Sequence, residues 1–365
     1  MKAAVCYEYG KPLVIEDVTL DAPQAGEVRV QIAATGICHS DLHLISGEWG
    51  GQPPVVAGHE SSGVVLELGP GVTRVKPNDR VLVTLIRSCG RCFYCLAGHP
   101  QRCETTWPLD RESRLHNKDG VALRHGLRTA SFAEEVVVDQ SQLVRMPDDL
   151  PMDVAALLAC GVITGAGAVL NTAQVKAGSS VVVIGTGGVG LNSVQAARLA
   201  GAHPIIAVDL LDTKLAMAQR FGATHGLNAS TQDVIPFVKE LTAGRGADYV
   251  FVTVGHAKAA EQGFAMLRPR GLMVIVGIPE LGATAALSVM GFVQERMVTG
   301  STMGSTRLDV DVPRLIALYR NKQLMLDELI TARLPLERIN DAVQDTHGGT
   351  AVRNVIIFAE AGRAR

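Results

Sequence analysis

The sequence predicts an α/β protein: a strand-rich, barrel-like body followed by a doubly wound parallel sheet. Three observations carry this. Within residues 1–150, short β-rich runs ("EVRVQIAA", "GVVLEL", "DRVLVTL", "AEEVVV") are parted by Gly, Pro and Asp turn signals. From about residue 178, continuous β-branched runs alternate with helical segments, the pattern of right-handed parallel crossovers. Finally, 365 residues exceed one ordinary domain.

The elements of the second region follow in order. "SSVVVIG" suits a strand buried on both faces, and "GVGLNSVQAARLAGA" a helix ending at glycine. "PIIAVD", "ADYVFVTV" and "LMVIVGI" read as further strands; "LDTKLAMAQRFGA" and "KAAEQGFAMLRPRG" read as the helices between them. "VPRLIALYRNKQL" is a helix and "VRNVIIF" a closing strand. Ahead of them, "VAALLACGVITGAGAVL" (154–170) is apolar but shorter than the roughly 18 residues of a membrane span and broken by glycines. It is expected to be a buried helix and loop.

Charge sets the class of partner. A formal net charge of −2 with 19% charged residues gives no broad attraction to nucleic acid or to a membrane surface, so a small-molecule partner is expected. The N-terminus turns acidic before any apolar core develops, which argues against a secretory leader and for a cytoplasmic location.

"VVVIGTGGVG" places Gly185, Gly187 and Gly190 as G-x-G-x-x-G, with Gly188 and Val189 between, after a strand and at the opening of a helix. The first glycine permits the tight turn, the second lets a pyrophosphate approach the backbone, and the third lets helix and strand pack. Asp209 ends the next strand, 19 positions beyond Gly190, where its carboxylate can bind both adenosine ribose hydroxyls and repel a 2′-phosphate. NAD is expected rather than NADP.

"CGRCFYCLAGHPQRC" crowds four of the chain's seven cysteines, Cys89, Cys92, Cys95 and Cys103, into one polar loop. Thiolates at C-x2-C-x2-C-x7-C can supply all four corners of a zinc tetrahedron and leave none for substrate, as in a structural site. An iron–sulfur cluster and disulfides are the alternatives. The last gap is too long for the bacterial ferredoxin run, and a reducing cytosol disfavours disulfides.

A second constellation is scattered. "GICHSDLH" holds Cys38, Ser40, Asp41 and His43; "AGHESSG" holds His59 and Glu60; "LLACGVITG" holds Cys160. Singly, Cys160 reads as a small buried residue and His59 as a hydrogen-bonded core histidine. Together with the four-cysteine loop and "GTGGVG", their order and spacing resemble the zinc-dependent medium-chain alcohol dehydrogenases, over essentially the whole chain.

The resemblance implies a GroES-like catalytic domain over 1–160 and 303–365, interrupted by a Rossmann NAD-binding domain over 161–302. It implies two zinc ions per chain, the catalytic one on Cys38, His59 and Cys160 with a corner left for water or substrate. Glu60 is implied as a nearby, occasionally coordinating carboxylate, and Asp41 as the partner that orients His59. Ser40 is implied to pass the alcohol's proton through the nicotinamide ribose to His43; a Ser-Asp turn and a surface histidine are the bland reading of the same residues. His39 and Arg353 are implied at the pyrophosphate, Lys214 at the ribose, and Thr164 and Val276 beside the nicotinamide. His39 departs from the arginine of many relatives, and Lys214 equally suits a solvated face.

Trp49 and Leu85 align with pocket-wall positions, and a bulky Trp49 favours primary alcohols. The activity implied is reversible hydride transfer between an alcohol and NAD, giving an aldehyde or ketone, in a homodimer or homotetramer. Three alternatives stand beside it: a nicotinoprotein with permanently bound NAD, a thiol-dependent formaldehyde dehydrogenase, and a non-enzymatic NAD-binding redox sensor. Against the second, the places of the acid and base that grip a glutathione adduct hold Trp49 and Trp107. Cys6 and the remaining histidines, among them His125 and His347, read as packing or surface residues.

Overall fold

The structure, a computed structural model, describes residues 1–349 and 351–358. The described residues form two compact units: Met1–Cys160 with Arg307–Arg314 and those from Leu326 onward, and Gly161–Thr306 with Leu315–Met325.

The first unit is built on antiparallel sheet. Its longest strand, Glu27–Gly36, pairs with Glu60–Leu68 on one side and with Arg353–Ile357 on the other, the latter in the register Val355 to Gly36 and Ile357 to Ala34. The closing strand thus returns some 300 positions to the start of the chain. A second, five-stranded sheet runs in the order Leu115–Asn117, Val14–Leu20, Lys2–Cys6, Val55–Val56, Arg124–His125. Alternate apolar residues fill the core: Val28, Val30, Ile32, Val81 and Val83 are solvent-free. Each such side chain contributes roughly 1.5–3 kcal/mol of burial.

The second unit is a six-stranded parallel sheet of Rossmann type, in the order His225–Asn228, Ile205–Asp209, Val181–Ile184, Ala247–Val252, Leu267–Ile275, Met297–Gly300. The continuous run Val181–Ile184 is buried throughout, as a strand covered on both faces requires. Its order reverses beside Val181–Ile184, with helix Gly188–Leu199 following at once. Helix Asp212–Phe221 stops at Gly222 in the left-handed conformation (φ 118°).

Two expectations shift. The strand read as "LMVIVGI" begins earlier, at Leu267, so the helix before it ends at Met266 instead of running through "RPRG". Leu267 pairs with Ala247, the ladder slips, and pairing resumes at Leu272 with Tyr249. The segment read as helix and loop is helical from Met152 to Thr172, long and apolar enough to cross a membrane but 89% buried in the fold. Its glycines permit contact instead of breaking the helix: a Cβ on Gly165 would lie 2.2 Å from the Val189 carbonyl oxygen, and one on Gly167 2.2 Å from that of Gly304.

Candidate functional site

In the first unit three metal-type donors converge from distant sequence. Cys38 caps helix His39–Ser46. His59 precedes strand Glu60–Leu68, after a turn at Gly58 (φ 93°) where a Cβ would lie 2.6 Å from the Phe132 amide nitrogen. Cys160 sits on a π-helical turn, Leu158–Val162, anchored by the Thr84 hydroxyl on the Ala159 carbonyl at 2.6 Å; such turns break the i to i−4 ladder and recur at functional sites. The donor atoms of Cys38, His59 and Cys160 all lie within 4.8 Å of one another, all three residues are buried, and His59 Nε2 is 3.2 Å from Cys160 Sγ. A tetrahedral zinc with bonds of about 2.0–2.3 Å holds its ligands less than about 4 Å apart, so this donor set suits one ion and would leave it one corner for another ligand.

The surroundings are charged and fully buried. Asp41 accepts from the amides of Cys38 (3.1 Å) and Gly58 (2.9 Å), and lies 3.0 Å from His59 Nδ1. That last bond directs Nε2 toward the cluster. Burial works against a charge on His59, yet the Asp41 carboxylate and the Cys38 sulfur together raise the imidazole well above its usual range. Cys38 is held well below the ordinary thiol range, first by its hydrogen bond with Cys160 and then by the Arg353 and His59 charges, which favours the thiolate that binds metal.

Glu60 lies under the same cluster. Burial pushes its carboxyl up to about 7 against the pull of Arg353. Arg353 approaches Glu60 Oε1 with Nε at 3.2 Å, donates to the Ile37 carbonyl at 3.4 Å and comes within 4.0 Å of Cys38 Sγ. Gly36 makes room, since a Cβ there would meet Glu60 Oε1 at 2.9 Å. The resemblance implies Arg353 at the pyrophosphate; in the structure its guanidinium lies buried as a counter-charge to Glu60 and Cys38. No spacing rule links a residue near the C-terminus to these partners, and only the pairing of its strand with Glu27–Gly36 does so.

Helix His39–Ser46 presents the remaining candidates: His39 exposed at its first residue, Ser40 half-buried, His43 in its last turn. The His43 ring stacks on Trp49, with centroids 5.1 Å apart and planes at 28°. Leu85 and Trp107 are half-buried.

The four cysteines 89–103 also meet, with sulfurs within 4.8 Å, but half-exposed. Backbone amides aim at the sulfurs: Cys92 N to Cys89 Sγ at 3.3 Å and Cys89 N to Cys103 Sγ at 3.4 Å. A hydrogen bond with Thr105, and then the Arg91 amide, bring Cys89 down to about 6. This set would fill all four corners of a tetrahedral zinc. The loop is rooted by buried Arg87, which donates to Gln142 Oε1 at 2.7 Å, Asp110 Oδ1 at 2.7 Å and the Arg128 carbonyl at 3.0 Å.

In the second unit the glycine turn divides its roles by residue. Gly185 has φ 87°; a Cβ on Gly190 would lie 1.9 Å from the Gly185 carbonyl oxygen; one on Gly187 would meet nothing within 4 Å. Gly187 therefore leaves an open approach to the amides that start helix Gly188–Leu199, where an anion is favoured. Asp209 is held by the Thr186 amide (2.7 Å) and hydroxyl (2.9 Å) on one oxygen and the Leu210 amide (2.8 Å) on the other. Thr186, unremarked in the sequence, thus fixes that carboxylate. Lys214 is half-buried, Val276 is buried just beyond strand Leu267–Ile275, and buried Thr164 lies 3.7 Å from Met303 Sδ through its hydroxyl.

Comparison with known proteins agrees with this geometry. Residues 24–148 match the family described as "Alcohol dehydrogenase GroES-like domain", and residues 188–321 that described as "Zinc-binding dehydrogenase". The chain is 38% identical over 373 residues to "Alcohol dehydrogenase class-3" of Cereibacter sphaeroides, covering 98% of this chain and 99% of that one. It is 38% identical over 368 residues to "NDMA-dependent alcohol dehydrogenase" of Amycolatopsis methanolica, with the same coverage. A solved structure, the "Alcohol dehydrogenase zinc-binding domain protein" of Burkholderia ambifaria, superposes with a TM-score of 0.94 at 34% identity over 98% of this chain and 99% of its own. The chain belongs to the zinc-binding alcohol dehydrogenase family of medium-chain oxidoreductases.

Proposed function

We propose that this chain is an NAD-dependent alcohol dehydrogenase that interconverts a primary alcohol and its aldehyde. The observation that carries the reading is the buried cluster of three donors, Cys38, His59 and Cys160. A zinc ion on Cys38, His59 and Cys160 would supply a Lewis acid for the alcohol or carbonyl oxygen, and NAD would supply the hydride acceptor. A second zinc is assigned to Cys89, Cys92, Cys95 and Cys103.

The chain's own residues do the rest. Asp41 holds His59 in the tautomer that offers Nε2 to the metal. Arg353 offsets the Glu60 carboxylate and the Cys38 thiolate, so that neither stands as a lone buried charge. Ser40 can both accept and donate, as a proton carrier must, and His43 is the acceptor that hands the proton to solvent. In the other unit, Gly187 admits the pyrophosphate, Asp209 binds the ribose and excludes a 2′-phosphate, and Thr164, Val276 and Lys214 line the cofactor. His39 contributes at the pyrophosphate, while Trp49 and Leu85 shape the alcohol pocket. In functional terms the catalytic domain is 1–160 with 303–365, and the cofactor domain 161–302.

A homodimer or homotetramer is part of the reading. Among the described residues strand Met297–Gly300 is an unpaired edge of the parallel sheet, and Val289, Val293 and Met297 are more than half exposed. An unpaired edge with apolar neighbours suits a second copy about a two-fold axis. A cytoplasmic location is part of the same reading.

The test is a turnover screen with NAD and NADP over primary, secondary and aromatic alcohols, with and without glutathione. NAD-linked oxidation of primary alcohols is expected; activity confined to glutathione adducts, or none, overturns the reading. The NDMA-dependent relative favours one second reading, in which NAD stays bound and another substrate reoxidises it. Protein that still absorbs as bound NADH after dialysis identifies that case.

A further inference from the structure

Helix His39–Ser46 ends at Gly47 in the left-handed conformation (φ 84°), a position where a Cβ would meet the Tyr9 ring at 2.6 Å. The reversal turns Glu48 back onto the helix it has just left. Glu48 Oε2 lies 2.5 Å from His43 Nδ1, and the Ser46 hydroxyl donates to Glu48 Oε1 at 2.9 Å. Trp49, the next residue, covers one face of the same ring. One edge and one face of His43 are therefore fixed by two consecutive residues that no helical spacing connects to it.

The chemistry of this contact selects a tautomer. An ionised carboxylate can only accept, so Nδ1 carries the hydrogen and Nε2 the lone pair. Glu48 is ionised across the neutral range: the hydrogen bond from His43 first, then that from Ser46, hold its carboxyl below the usual value, and the His347 charge acts in the same direction. The side chains of His43 and Glu48 are 27% and 47% exposed, which leaves water within reach.

We propose that Glu48 is the positioning residue of the proton exit, holding His43 with Nδ1–H toward the carboxylate so that Nε2 accepts the proton released from the alcohol. Trp49 keeps the ring from turning out of that plane. The inference rests on the reading of His43 as proton acceptor. In the step, an N–H bond forms at Nε2 as the alcohol's O–H bond breaks, giving an imidazolium paired with Glu48. Water then takes that proton from Nε2 and restores the starting tautomer. Glu48 undergoes no net change, and its charge stabilises the imidazolium as a carboxylate does behind a catalytic histidine.

The experiment has two arms. In the first, the full chain labelled with 15N-histidine is studied by NMR, the His43 signals being assigned by their loss in His43→Gln. The neutral ring is expected as the Nδ1–H form in the parent protein and as predominantly Nε2–H in Glu48→Ala; an Nε2–H parent, or an unchanged tautomer in the variant, overturns the proposal. In the second, kcat for alcohol oxidation is expected to fall by about tenfold in Glu48→Ala with little change in KM, and to be partly restored in Glu48→Asp. A shifted tautomer with unchanged kcat overturns the role in proton exit. Glu48→Gln, which keeps an acceptor oxygen and removes the charge, guards against a fold defect: it should preserve the tautomer and still lower kcat. If no alcohol is turned over at all, the functional reading fails while the NMR arm still decides the Glu48–His43 contact.

Discussion

The first unit holds two clusters of metal-type donors made in opposite ways. Cys89 and Cys103 are 14 positions apart, and the cluster's extra hydrogen bonds come from backbone amides of the same loop and from Thr105 just beyond it. His59 and Cys160 are 101 positions apart and fully buried; the hydrogen bonds and ion pairs around that cluster come from Asp41 and from Arg353 on another strand. In the first case an ion would organise a loop that has little core of its own. In the second the fold itself organises the donors, and an ion held there would keep a corner free for chemistry. The difference predicts that the two clusters fail differently when damaged.

The largest contrast is between Cys38→Ser and Cys103→Ser. Cys38→Ser is expected to keep the fold and lower alcohol oxidation by at least about 10³-fold, since loss of several kcal/mol of transition-state charge stabilisation is at stake. Cys103→Ser should do the reverse: a lower thermal midpoint and easier proteolysis around residues 89–103, with activity largely kept at low temperature. Circular dichroism, limited proteolysis and steady-state rates separate the two, and equal loss of stability and activity in both would erase the contrast.

Asp41→Asn comes next. The bond to His59 loses its charge, and metal affinity at the buried cluster should fall by roughly 10–100-fold while the cysteine loop keeps its ion. Titration with a chelator, read as residual activity and as bound metal, checks this. An unchanged chelator midpoint would show that Asp41 has no hold on the cluster.

A smaller effect concerns acid. Both ring nitrogens of His125 are buried without a hydrogen-bond partner among the described residues, and burial, then the Arg87 charge, push its value down to about 4. A histidine depressed in the fold binds its proton more readily when unfolded. Its contribution is thus intact above about 6.5, the unfolded value, and is lost as pH falls from there toward 4. His125→Phe should flatten the stability profile over that window, measured by urea unfolding at stepped pH. Because Arg87 roots the cysteine loop, the same experiment asks whether acid loosens that loop before the buried cluster.

Legibility in the sequence follows the same divide. The cysteine loop is visible because its ligands are local, and the glycine turn because each glycine answers a local steric demand. The β-branched run Val181–Ile184 announces a strand covered on both faces, as found. The scattered donors are different. Nothing in the spacing of Cys38, His59 and Cys160 distinguishes them from ordinary core residues, and only resemblance to a family singles them out. Arg353 is likewise named only through the resemblance, and its contacts with Glu60 and Cys38 could not be read from spacing because strand pairing sets them. The glycines at 165 and 167 mislead, because glycine reads as a breaker until the backbone packed against it is seen. Glu48 escapes because a left-handed residue, not a helical period, brings it to His43.

Metal content tests the central claim most directly. Zinc per chain, measured on the purified protein and on Cys160→Ala, should fall from two to one, with alcohol oxidation lost and the remaining zinc released only when the cysteine loop is disrupted. A Cys160→Ala protein that keeps both ions and its activity, or a parent protein with no zinc beyond the loop, would contradict the account.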